Sequence, residues 1–257
     1  QRAEKVSQPL QFITPVAVAS SDPRVSGVAA GDIANKYGAW VSPFYGISSQ
    51  GSRSGQPGFK SSYYGGVVGF DSLINDDTAL GMVLSYIKTD IKHKNLNSGD
   101  RTKADSFIVS AYGTYEITKE WFVQSVATFG HSKIKNREIR TEFGATNIAA
   151  ADYNATSWGG EILTGYNQKI RENVMLTPLF GLEFNRLNGI NYKETGTNTQ
   201  NLAIKRGSIN QLEAILGARI SAVHAMDIYQ KHVTFLPEIH GNVRYGLLDK
   251  KLNIDIR

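Results

Sequence analysis

Side-chain chemistry needs nucleophiles, acid–base pairs or metal ligands at workable spacing, and this chain of 257 residues offers few. It has no cysteine, which removes thiol nucleophiles, disulfide frameworks and cysteine-bound zinc. The five histidines, His93, His131, His224, His232 and His240, are scattered. The two on one expected strand, His232 and His240, are too far apart for a bidentate metal pair. Gly65-Gly66-Val67-Val68-Gly69 resembles a phosphate loop only superficially, because no Gly-Lys-Ser/Thr follows and the segment reads as strand interior. No Gly-x-Ser-x-Gly elbow occurs. What remains is a set of charged side chains of both signs, Glu161, Glu183, Glu213, Arg219, Glu238, His240 and Arg244, none in a catalytic spacing. No catalytic residue, metal site or cofactor is expected, and the chain is not expected to be an enzyme.

The elements that carry these residues read as strands. Period-2 alternation predicts about nine, over 38–49, 61–73, 79–91, 104–117, 121–135, 156–169, 174–188, 210–223 and 232–247. In the seventh, Leu176, Pro178, Phe180, Leu182 and Phe184 share one face and Thr177, Gly181, Glu183 and Asn185 the other. In the eighth, Leu212, Leu216 and Ile220 oppose Gln211, Glu213 and Arg219; in the ninth, Val233, Phe235, Ile239 and Val243 oppose Glu238, His240 and Arg244. One apolar and one charged face describes a soluble sheet as well as a membrane one, so alternation alone does not place the strands in lipid.

The connections say more. Residues 50–58, 92–103, 136–154 and 190–208 read as long polar loops. Between them fall the short turns Asn75-Asp76-Asp77, Thr118-Lys119-Glu120 and Arg171-Glu172-Asn173, and an intermediate segment, 225–231. Alternation of long and short connections marks an outer-membrane barrel, with short periplasmic turns and longer outer loops. Aromatic residues cluster toward both strand ends: Trp40, Phe70, Tyr115, Trp121 and Tyr166 beside the short turns, and Tyr63, Tyr86 and Trp158 nearer the long loops. Two interface girdles give this distribution.

Composition agrees. Gly (25), Tyr (12) and Phe (11) are frequent, no run approaches the ~20 apolar residues of a membrane helix, and mean hydropathy is −0.27. A barrel keeps its average hydropathy low because only alternate residues meet lipid. Net charge is +5, but Lys and Arg read as scattered over connections, so no nucleic-acid partner is expected. Within 1–36, Ser21-Asp22-Pro23 offers an N-cap followed by proline at the first helical position, which predicts a short helix over about 23–35. Gly27 and Gly31 weaken it by roughly 1 kcal/mol each, leaving a flexible linker as the alternative.

With the strands placed, the stretches Tyr37-Gly38-Ala39-Trp40-Val41-Ser42-Pro43-Phe44, Gly69-Phe70-Asp71, Lys88-Thr89-Asp90-Ile91-Lys92, Ala111-Tyr112-Gly113-Thr114-Tyr115, Leu176-Thr177-Pro178-Leu179, Tyr192-Lys193-Glu194-Thr195-Gly196-Thr197 and Leu236-Pro237-Glu238 resemble, in this order, the autotransporter β-domain of rickettsial surface cell antigens. The resemblance implies an all-β, antiparallel, up-and-down transmembrane β-barrel of about twelve strands, of which about nine are present in 37–257, with the 23–35 helix in its pore. It implies the lumen-facing set Glu161, Glu183, Glu213, Arg219, Glu238, His240 and Arg244, a translocator and anchor in the bacterial outer membrane, and an adhesin-like upstream passenger that meets the host cell surface. Outer-membrane lipids and the assembly machinery are the other implied partners. The family continues for about three more strands and closes on an aromatic residue, whereas this chain ends Asn253-Ile254-Asp255-Ile256-Arg257. On that pattern the chain alone is not expected to close into a stable translocator. Some family members cut off their passenger with acidic residues of the wall, but nothing here selects among the glutamates for that role. A passenger-less outer-membrane channel and a soluble β-sandwich binding module are the competing readings.

Overall fold

Along β3 (Thr78–His93) the exposed side chains include Leu80, Met82, Leu84 and Tyr86, whereas Gly81, Val83, Ser85 and Ile87 are buried. Exposed apolar side chains recur on every long strand of the main sheet: Val41 is 72% exposed, and Leu216 is 63% exposed beside buried Ile215. In water each such side chain forfeits about 1.5–3 kcal/mol of burial. A contiguous band of this kind is a partner surface, and on one face of a large antiparallel sheet it is the face a membrane barrel turns to hydrocarbon.

The computed structural model describes residues 36–52, 57–94, 99–142, 145–197, 199–228, 231–235, 237–248 and 254–256. The expected helix over 23–35 lies outside these residues. Fifteen strands are described: β1 (Tyr37–Gln50), β2 (Phe59–Asn75), β3, β4 (Arg101–Glu116), β5 (Trp121–Glu142), β6 (Ala145–Tyr166), β7 (Gln168–Arg171), β8 (Val174–Leu187), β9 (Ile190–Lys193), β10 (Ala203–Arg206), β11 (Ile209–Ala222), β12 (His224–Ile228), β13 (Lys231–Phe235), β14 (Glu238–Gly246) and β15 (Ile254–Ile256). The main sheet is antiparallel, ordered β1-β2-β3-β4-β5-β6-β8-β11-β14, with β7 beside β8. Among the described residues β1 and β14 do not pair with each other, so the sheet is an open half-barrel.

Short turns are closed by local side-chain bonds. Asn75 Oδ1 accepts from the Asp77 amide (3.1 Å), and Thr118 Oγ1 accepts from the amides of Glu120 (3.2 Å) and Trp121 (3.0 Å). Pro178, which has no N–H, sits in the gap where the β6 pairing of β8 ends and that of β7 begins. Pro237 likewise separates β13 from β14, so the single strand expected over 232–247 is two: β13 forms a hairpin with β12, and β14 joins the main sheet.

A second correction concerns 136–154, expected as a long loop. It is the upper half of a hairpin of two 22-residue strands, β5 and β6, in unbroken register from Trp121↔Tyr166 to Glu142↔Ala145. A bilayer crossing uses about 9–11 residues, so roughly half of this ribbon stands beyond the band.

Candidate functional site

The sheet curls enough to bring distant strands together. Strands lie about 4.8 Å apart, so three spacings on a flat sheet exceed the reach of an arginine. Yet Arg219 of β11 places its guanidinium 5.8 Å from the Phe122 ring of β5, and Arg244 of β14 reaches Glu161 of β6 at 3.5 Å. The inner face is therefore concave, and it holds a groove of about 160 Å³ lined in part by Tyr112, Gln124, Glu161, Arg219, Glu238 and Arg244.

Register explains the charge arrangement. Glu161↔Glu183 and Glu183↔Glu213 are directly opposed, so three glutamates from β6, β8 and β11 form one cross-strand row. Like charges so placed repel. Arg244 bridges two of them by ion pairs to Glu161 and Glu183. Asn185 Nδ2 also donates to Glu183 (2.6 Å), and Gln211 donates to Glu213. Nearer the short turns, Glu238 lies 4.0 Å from Arg219 and 3.4 Å from His240. All seven charged residues singled out from the sequence thus lie on one face. The opposed glutamate row was not legible, because the three residues sit on three strands far apart in the chain.

Aromatic residues divide between the faces. Phe70, Tyr115, Trp121 and Tyr166 are on the convex face at the short-turn end, with the Trp121 and Tyr166 rings 5.4 Å apart. Tyr86 and Trp158 are on the convex face toward the other end, each against a phenylalanine, Phe107 at 4.8 Å and Phe184 at 5.3 Å. Trp40 and Tyr63 depart from the girdle expectation and turn to the concave face. Each fills the space over a glycine opposite it, Gly69 and Gly46, where an added Cβ would come within 2.1 and 2.2 Å of the ring. Tyr112 covers Gly81 in the same way and donates to Asp71 Oδ2 (3.0 Å).

Beyond the band the long-loop end is tied shut on one side. The β9–β10 hairpin lies against the extension of β6 through paired amides of Ala150 and Thr195 (2.8 and 2.9 Å). Under it Ile134, Ala155, Leu187 and Ile190 pack together, and the Tyr153 and Tyr192 rings stack at 4.3 Å and 6°. Burial pushes both phenols up. Glu194, with a side chain 1% exposed, holds Arg140, 15% exposed, by two bonds of 2.7 and 2.9 Å. Glu194 Oε2 also accepts from the Leu202 amide (3.0 Å), and Arg140 further donates to Glu138 (3.0 Å) and to the Gln200 carbonyl. Gly196, at φ +100°, lets the backbone pass beside the Ile148 carbonyl. On the same rim Arg101 hydrogen-bonds Asp90 and holds its carboxyl below the usual value, whereas burial pushes that of Asp100 up.

A curled antiparallel sheet with an apolar convex face, aromatics toward both edges of that face and a charged concave face defines an outer-membrane β-barrel protein. The chain matches the autotransporter beta-domain over residues 39–257. It is 36% identical over 232 residues to outer membrane protein A of Rickettsia rickettsii, covering 88% of this chain and 10% of that protein. It is 34% identical over 232 residues to outer membrane protein B of Rickettsia typhi, covering 88% and 14%. The chain therefore spans about a tenth of the length of the curated relatives it matches. The translocator domain of autotransporter NalP from Neisseria meningitidis shares the fold, with a TM-score of 0.55 over 82% of this chain and 76% of that chain at 13% identity. The chain belongs to the autotransporter beta-domain family. That family, and relatives named as outer membrane proteins, place the chain in the bacterial outer membrane.

Proposed function

We propose that the concave face is the wall of a hydrated channel that carries the passenger outward and afterwards holds the 23–35 segment as a short helix. Residues 1–36 are then linker and pore helix, and 37–257 the barrel domain. The observation that carries this reading is the Glu161, Glu183, Glu213 row with Arg244 across it, backed by a convex face of opposite character. Donors and acceptors of both signs on this wall can solvate a passing backbone. Glu238, Arg219 and His240 extend the same wall toward the short turns. Phe70, Tyr115, Trp121, Tyr166, Tyr86 and Trp158 seat the sheet at the two interfaces, outer-membrane lipids cover the convex band, and the assembly machinery inserts it. The passenger is adhesin-like and meets the host cell surface; the domain itself carries out no bond chemistry and binds no nucleic acid.

Because the chain has no cysteine, single substitutions give a clean test. In intact outer membranes Glu161→Cys and Glu213→Cys should react with a charged, membrane-impermeant maleimide, and Ile162→Cys and Leu216→Cys should not. A cysteine at Val25 should cross-link to one of the wall positions. Equal labelling of both faces would overturn the reading.

A further inference from the structure

Lys and Arg read as scattered in the sequence, but register gathers many of them on one surface. Above the aromatic row that contains Tyr86 and Phe107, convex positions form three successive cross-strand rows. The first holds Lys88, Asp105 and Lys133; the second Asp90, Lys103, Lys135 and Asp152; the third Lys60, Lys92, Arg101 and Arg137 on four adjacent strands. The lysines in these rows and Arg137 are exposed. Two of the acids are already engaged, Asp90 by Arg101 and Asp105 by Lys88 at 3.9 Å. A wet sheet face stabilised by its own side chains opposes unlike charges, whereas the third row opposes like charges at every step, which costs stability. An external anion would offset that cost.

Position selects the anion. A row is two residues higher than the last, about 5 Å along the barrel axis at the usual strand tilt, so the rows lie roughly 5, 10 and 15 Å above the aromatic belt. That is the depth of a lipid headgroup and of the sugars attached to it, on the side of the long connections. We propose that this basic collar binds the phosphorylated sugar headgroup of a glycolipid in the outer leaflet, its acyl chains lying along the convex band. The inference rests on the outer-membrane orientation given above. Each basic side chain at an anionic surface adds about fivefold to binding, so removing three lowers it on the order of a hundredfold before screening.

The test uses the full-length protein that contains this chain, displayed in a Gram-negative outer membrane, extracted in non-ionic detergent and assayed for lipid A phosphate and hydroxy fatty acid per protein. Lys92→Gln, Lys103→Gln and Lys135→Gln together should lower retained lipid at least tenfold, and Lys119→Gln with Lys169→Gln at the short-turn end should not. Independently of any variant, the wild-type protein should bind vesicles carrying bisphosphorylated lipid A and lose that preference when the lipid is dephosphorylated. Equal retention by both variant sets, equal binding of the dephosphorylated lipid, or collar-dependent capture of a sulfated polysaccharide without any lipid preference would each overturn the proposal. Heat-modified electrophoretic mobility reports insertion separately. A wild type that inserts yet shows no lipid difference removes this inference alone, and one that never inserts removes the channel reading with it.

Discussion

Replacing Arg140 by alanine should release the β9–β10 hairpin while leaving the membrane part of the sheet intact. Glu194 is almost fully enclosed and takes two of its three bonds from Arg140, the third coming from the Leu202 amide. Removing one partner of a buried pair costs about 3–5 kcal/mol because the remaining charge is stranded. The retained amide bond argues for the lower end. Amide exchange at Glu194, Thr195 and Ala150, which are bonded across or along the hairpin, should therefore accelerate by about a hundredfold or more in detergent-solubilised protein. Amides of the β4–β5 ladder inside the band, near Ser110 and Thr128, should be unchanged. Replacing both partners, Arg140→Met with Glu194→Leu, should restore most of the protection, since no charge is left unpaired. An acceleration below about fivefold, or one that spreads equally to the β4–β5 ladder, would refute the assignment of the pair as a local latch.

Other consequences can be measured directly. Gly81→Val should push Tyr112 off Asp71 and cost about 1–3 kcal/mol by overpacking, lowering the temperature of the heat-induced mobility shift; Tyr112→Phe, which keeps the ring, should cost only about 1 kcal/mol. Arg244→Ala should cost about 1.5–3 kcal/mol by leaving Glu183, 7% exposed, without its cation, and should raise the cation preference of any reconstituted pore. The depressed carboxyl of Asp90 stabilises the β3–β4 rim fully above its unfolded value of about 3.9, and this contribution is lost as pH falls through the lower folded value. Rim amide protection should thus fall in strong acid in the wild type and fall less over the same range in Asp90→Asn.

Much of the architecture was legible because lipid and water impose opposite requirements on alternate residues. In β8 the alternation of Leu176, Phe180 and Leu182 with Thr177, Gly181 and Glu183 is the alternation of convex and concave faces. The misreadings share one origin, the use of composition where parity was needed. Trp40 and Tyr63 stand near strand ends as interface aromatics do, but each is directly opposite a glycine whose missing side chain leaves room for a ring on the concave side. Residues 136–154 are polar enough to resemble a loop, yet their backbone is paired along the ribbon and their inner face is covered by the β9–β10 hairpin, where the small buried Ala149 and Ala151 give no conspicuous apolar stripe. The Arg140–Glu194 pair joins residues 54 apart with no local signal, so only the fold could bring it out.

The height of the β5–β6 ribbon changes what an immune system can see of this domain. Above the basic collar, every second side chain of its outward surface comes from one strand and is bordered by the other, Ile139 beside Ile148 and Thr141 beside Thr146, while Arg140 faces away toward Glu194. The epitope on an intact cell is therefore discontinuous and set by conformation. Antibodies raised against a short linear peptide from 131–142 would be selected on neighbours that the ribbon separates onto opposite faces, and would recognise the denatured protein better than the living surface.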